Sequence, residues 1–294
     1  MTETPREMRA ECENPRVYTI GASGRPKTMR GTRVWTLALT LATIGPLLGL
    51  GSLAGAALAP AAQPASLAFE THSHKSISST NWAGYAVTSG SGGVTEVKGS
   101  WIQPRVTCTS STAYAAFWDG IDGYSSSTVE QAGTLAECSG GKAQYSAWYE
   151  FYPKPSKVIT TLTVKPGDAV SVTVSYAAST SDFTVVVKIG KSSFTKVAMV
   201  SGAERSSAEC ITELPSVGSS PTLLADFGVA NFGKEYTSKI GCSATVGGTT
   251  GSFGSFSSVV SINLKNSALK KALCRTGTLS KDGTSFTVTW IRAS

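Results

Sequence analysis

In "TVEQAG", residues 128–133, an uncharged amide, Gln131, stands between a glutamate and an Ala-Gly pair within a short run of strand-like sequence. A second run, "AECITELP" (208–215), carries Glu209 and Glu213 among apolar neighbours, and a third, "YSAWYEFYP" (145–153), carries Glu150. The chain has only two histidines, His72 and His74, both in a stretch with no hydrophobic period. Their absence elsewhere excludes Ser-His-Asp and Cys-His nucleophilic catalysis. It also removes the commonest ligand of zinc and other transition metals, so neither a metal nor a cofactor is expected. Neither a GxxxxGKS/T phosphate loop nor a GxGxxG strand-to-helix turn is present. Carboxylates remain for proton transfer, and a glutamate in an apolar strand is one whose pKa burial perturbs.

The elements that must position these groups are strands. Short alternating runs recur from Asn81 onward, among them "NWAGYAV", "VKGSWIQP", "KVITTLTV", "DAVSVTVSYA" and "SFTVTWI", and this period of two is that of half-buried strands. Turn signals separate them, such as "KPGD" at 165–168, where Pro166 fixes φ and Gly167 supplies a positive one. Many antiparallel strands without helical spacers imply an all-β sandwich or jelly roll of two antiparallel sheets. In "YSAWYEFYP" the alternation places Trp148, Glu150 and Tyr152 on one face and Tyr145, Ala147, Tyr149 and Phe151 on the other. With aromatics on both faces, the strand is either central and covered twice or the floor of a ligand groove. Glu209 and Glu213 share a face, but an unbulged strand holds their Cα atoms about 13 Å apart. Paired glycosidase carboxyls sit roughly 5 to 9.5 Å apart, so a glycosidase reading is disfavoured.

The formal charge of +7 is not a nucleic-acid signal: residues 1–33 hold seven of the 26 basic and four of the 19 acidic side chains, and the other cations are scattered singly. Residues 34–59, "VWTLALTLATIGPLLGLGSLAGAALA", follow that basic leader, carry no charge and end in small residues. They read as a signal peptide, with an uncleaved membrane anchor as the alternative. Residues 60–79 read as a linker or short prosegment, and 80–294 as the folded domain. Export makes disulfides the expected state of the cysteines. Cys108 is expected to pair with Cys138, and Cys242 with Cys274, each pair lying in loop-like sequence, which leaves Cys210 as a buried free thiol.

The ordered motifs "NWAGY" (81–85), "FWDGIDG" (117–123), "VEQAG" (129–133), "YSAWYEFYP" (145–153), "AECITELPSV" (208–217) and "LADFG" (224–228) resemble those of the glutamic peptidases, or eqolisins, across most of residues 80–260. The resemblance implies a concanavalin-like β-sandwich that cleaves polypeptides with a Gln and Glu pair, here Gln131 and Glu213. It implies substrate contacts at Trp82, Trp118, Asp122, Trp148, Glu150 and Tyr152. Asp119 and Glu130 depart from the family pattern, and alternation puts both on the face opposite Gln131. The pair suits acid chemistry. A glutamate can take a proton from water and return it to the leaving amine, while an amide keeps its N–H donor at any pH. The enzyme is expected to be a secreted monomeric acid endopeptidase that does not bind nucleic acid. The alternative is a non-catalytic carbohydrate-binding or adhesion sandwich, using the same aromatics for stacking.

Overall fold

The computed structural model describes Tyr18–Thr19 and residues 75–217, 220–266 and 268–294; the signal-peptide and anchor readings lie outside these, as does the leader apart from Tyr18–Thr19. The strands that build the fold are, in chain order, β1 (Lys75–Ser79), β2 (Trp82–Thr88), β3 (Val94–Ile102), β4 (Ala113–Ile121), β5 (Val129–Ser139), β6 (Lys142–Tyr152), β7 (Ala169–Ala177) and β8 (Asp182–Ile189). They continue with β9 (Ser192–Met199), β10 (Ser207–Glu213), β11 (Val229–Phe232), β12 (Ser243–Val246), β13 (Val259–Asn266), β14 (Cys274–Thr276) and β15 (Phe286–Trp290). One sheet runs β1-β13-β2-β10-β4-β5-β6, and the other β9-β8-β7-β3-β11-β15-β14, with β12 also paired to β3.

The all-β sandwich expected from alternation is therefore present, and most pairings are antiparallel. Two exceptions are parallel: β1 against β13, and Leu223–Leu224 against β4. The first also extends the folded part upstream. Lys75–Ser79, read from sequence as the end of the linker, has a single half-buried apolar residue, Ile77, and is held as a strand by backbone pairing to β13. The turn at 165–168 forms as its residues dictate: Gly167 has φ 92°, and the Asp168 N–H bonds the Lys165 carbonyl at 3.1 Å.

Apolar residues divide into two clusters. The larger lies between the sheets and includes Tyr85, Phe117, Ala132 and Cys210 from one sheet and Trp101, Val172, Phe183, Phe232 and Phe286 from the other. The Val and Phe side chains among them each contribute about 1.5–3 kcal/mol when fully buried. Polar contacts also cross this layer, among them Trp101 Nε1 donating to Thr134 Oγ1 at 3.1 Å and the Tyr85 hydroxyl donating to the Gly277 carbonyl at 2.8 Å. The smaller cluster comprises Trp82, Ala86, Tyr114, Ala116, Trp118, Val129, Leu135, Trp148, Ile211, Val260 and Ile262. All come from the β1–β6 sheet, so they mark its face turned away from the second sheet.

Cysteine pairing follows this layering. Cys108 and Cys138 are bridged, as expected. Cys242 and Cys274 are not: both are unbridged and buried, as is Cys210. Reading Cys274 as a loop residue was the error. It is fixed in β14 opposite Trp290, while the Cys242 side chain meets Cys210.

Candidate active site

Register fixes which side chains share the outer face. Gln131 of β5 lies opposite Glu150 of β6 on one side and Gly120 of β4 on the other, and Gly120 lies opposite Glu209 of β10. The next row is Trp148, Gly133, Trp118 and Ile211, and the one after it holds Leu135, Ala116, Glu213 and Trp82. Gln131, Glu213, Trp82, Trp118, Trp148, Glu150 and Tyr152 therefore fall on one face, contributed by five neighbouring strands. Glu209 and Glu213 stay four residues apart along an unbulged strand, as the sequence spacing implied.

Two glycines make room for the central indole. A Cβ at Gly133 would sit 2.0 Å from the Phe117 carbonyl oxygen and 2.7 Å from Trp118 Cβ, and one at Gly120 would stand 3.0 Å from the far edge of the Trp118 ring. The ring therefore lies flat along β4, with its other edge reaching Glu213, where Nε1 donates to Oε2 at 2.7 Å. Trp82 packs on it edge to face, with ring centroids 5.0 Å apart. The second Glu213 oxygen, Oε1, accepts from Asn81 Nδ2 at 3.3 Å, and the Ser79 hydroxyl donates to Asn81 Oδ1 at 3.0 Å. Asn81 is a site residue that sequence reasoning did not single out, although it opens the "NWAGY" motif beside Trp82.

Across the same face, Gln131 Nε2 donates to Glu150 Oε2 at 2.7 Å. Burial pushes the Glu150 carboxyl up to about 9. Its bond from Gln131 opposes that shift, and the nearby charge of Glu213 adds to it. Glu150 therefore holds its proton through acid and neutral pH. Gln131 and Glu213 are 0% and 1% exposed, so donors and acceptors here act in a dry, low-dielectric setting.

Asp122, expected as a substrate contact, holds neighbouring backbone in this structure. It follows β4 with φ 73°, and its carboxyl accepts from the Arg205 N–H (2.7 Å), the Ser206 N–H (2.8 Å), the Ser206 hydroxyl (3.1 Å) and the Thr128 hydroxyl (3.4 Å). It clasps the chain entering β10 and so positions the strand that carries Glu213. Asp119 and Glu130 point into the layer between the sheets, as alternation implied; both are fully buried, and burial raises their carboxyls to about 7 and about 9. Tyr152, half-buried at the end of β6, packs against the outer-face cluster.

The family profile described as Peptidase A4 matches residues 80–290. The chain belongs to the Peptidase A4 family. Among its relatives, Aspergillopepsin-2 of Aspergillus niger is 30% identical over 196 residues, a match spanning 58% of this chain and 66% of that protein. The crystal structure of the aspergilloglutamic peptidase from Aspergillus niger is 28% identical, with a TM-score of 0.52 over 61% of this chain and 99% of its own. The fold is also that of scytalido-glutamic peptidase, solved with a transition state analog inhibitor: TM-score 0.60, 21% identity, 72% of this chain and 98% of that one. As a Peptidase A4 protein the chain carries Gln131 and Glu213 within the matched region, on one buried face with the Trp118 row between them. Among the described residues no cluster of three or more metal-ligating side chains occurs, and no helix is long and apolar enough to cross a membrane.

Proposed function

We propose that this protein is a secreted acid endopeptidase in which Gln131 and Glu213 activate a water molecule against the scissile carbonyl of an extended peptide. The observation that carries the reading is the cradle of Glu213. Trp118 and Asn81 present N–H groups to its two oxygens, holding it as an acceptor on the face that also carries Gln131. Glu213 takes the proton of the attacking water and later passes it to the leaving amine. The bond from Gln131 to Glu150 orients the amide, and that amide is the N–H donor for the tetrahedral oxygen. Such a preorganised donor is worth about 3 kcal/mol of barrier.

The buried carboxyls support an acidic working range. Asp119, Glu130, Glu150 and Glu209 all sit where burial favours the protonated form. A fold built around four such groups is suited to acid. The uncharged run at residues 34–59 supports export, and the Trp118 indole N–H is committed to Glu213, a role that sugar stacking does not require.

The test is digestion of a denatured protein at about pH 3 to 5, near the free-glutamate pKa, by the wild type, Gln131→Ala and Glu213→Gln. Cleavage by the wild type alone is expected. Equal cleavage by all three would move the chemistry to other residues, and no cleavage by correctly folded wild type would leave a binding sandwich as the better reading.

A further inference from the structure

The outer-face chemistry leaves one reactive cluster unused, and it lies between the sheets. Cys210 of β10 and Asp119 of β4 are directly opposite in register, and both face the interlayer core. Asp119 reaches across to the second sheet, where Gly99 of β3 makes room for it: a Cβ there would stand 2.6 Å from both carboxyl oxygens. From that second sheet's side comes Cys242, just before β12, whose thiol is in side-chain contact with that of Cys210. Both backbones are fixed. Cys210 is paired on both edges of its strand, while the Cys242 N–H bonds the Thr284 carbonyl at 2.8 Å and its carbonyl accepts from the Phe253 N–H at 3.1 Å. Two thiols thus meet across the sandwich from backbone positions held on both sides.

We infer that Cys210 and Cys242 are the site of a second, cross-sheet disulfide, formed during oxidative folding. Each thiol gives up its hydrogen and one Sγ–Sγ bond forms; the two electrons and two protons pass to an external disulfide, which leaves as two thiols. The chain already carries one bridge, Cys108–Cys138, so conditions that oxidise its thiols belong to its folded state. The bond joins β10, which bears Glu213 three residues on, to the opposite sheet. It forms while the layers close rather than afterward. Exchange needs a thiolate, and in the finished core burial pushes both thiols up, with ionised Asp119 adding to the effect. Both cysteines are also fully shielded from solvent.

The test is to refold the full chain with oxidised glutathione and, in parallel, with excess reductant. Each sample is then denatured, alkylated without reduction, and its linked peptides mapped by mass spectrometry. In the oxidised sample Cys274 and Cys12 take label, Cys210 and Cys242 take none, and a peptide pair joining residues 210 and 242 appears beside the 108–138 pair. Protein folded reduced and then exposed to oxidised glutathione in its native state keeps both thiols unbridged. Full labelling of Cys210 and Cys242 in a sample whose 108–138 bridge is intact overturns the inference, as does a 242–274 linkage. Cys242→Ser supplies a second readout. It lowers the melting temperature of oxidised protein relative to wild type, whereas an unchanged melting temperature counts against the bridge.

Discussion

The Trp118 indole nitrogen stands 2.7 Å from Glu213 Oε2, at the end of a ring whose other edge is fitted over Gly120. The hydrogen bond is set by packing on both sides of the ring, so the donor is in place before any substrate arrives.

Trp118→Phe keeps most of the ring and removes the N–H. A hydrogen bond to a charged group contributes about 1.5–3 kcal/mol, so kcat on a peptide substrate is expected to fall roughly ten- to a hundredfold, with the circular dichroism spectrum unchanged. Retention of full kcat would mean that Glu213 works without this donor.

Stability should depend on pH in the direction opposite to that of most proteins. Asp119 is held up to about 7, Glu130 and Glu150 to about 9, and Glu209 is raised as well, in each case chiefly by burial. Below the ordinary carboxylate range, near pH 4, both folded and unfolded chains keep these protons, and the stability is fully present. As pH rises the unfolded chain releases them while the folded one holds them, at a cost of about 1.4 kcal/mol per pH unit for each group until its folded value is passed. Thermal melts are expected to peak at about pH 3–4 and to fall steeply toward neutrality. A flat or rising profile between those limits would contradict the burial of these acids.

Glu130→Gln isolates one such group away from the outer face. It keeps shape and removes the proton release, so at pH 7 the variant should be more stable than wild type by about 3–4 kcal/mol, and at pH 3 nearly the same. Urea titrations at the two pH values check both halves; destabilisation at pH 7 would show that the ionised form is favoured inside the fold.

Gly133→Ala tests the seat of Trp118. The added methyl would stand 2.0 Å from the Phe117 carbonyl oxygen, on backbone that cannot swing away. Overpacking of this kind costs typically 1–3 kcal/mol, and backbone clashes lie at the upper end. The expected result is a lowered melting temperature together with altered Trp fluorescence. A variant indistinguishable from wild type would mean that β4 and β5 are less closely apposed at this point.

Much of this was legible in the residues themselves. A period of two, Gly-rich turns and few helical spacers led to a two-layer all-β fold, and the same alternation correctly separated Trp148, Glu150 and Tyr152 from Tyr149 and Phe151. It also put Asp119 and Glu130 on the inner face. Alternation is a local backbone property, so it survives in the sequence. What it cannot carry is which strands become neighbours. Lys75–Ser79 has little hydrophobic pattern and is a strand only because β13 offers it a backbone edge.

The site divides along the same line. Residue types alone determined that a domain without histidine must work with carboxyls and amides. Tertiary structure decided the partners. Asn81 and Glu213 are brought together by the pairing of β2 with β10, Asp122 is spent on the amides of Arg205 and Ser206, and Cys242 meets Cys210 rather than Cys274. These contacts join residues far apart in the chain across strands and layers. Which of them forms depends on register and sheet packing, energies that belong to the assembled fold and not to any one segment.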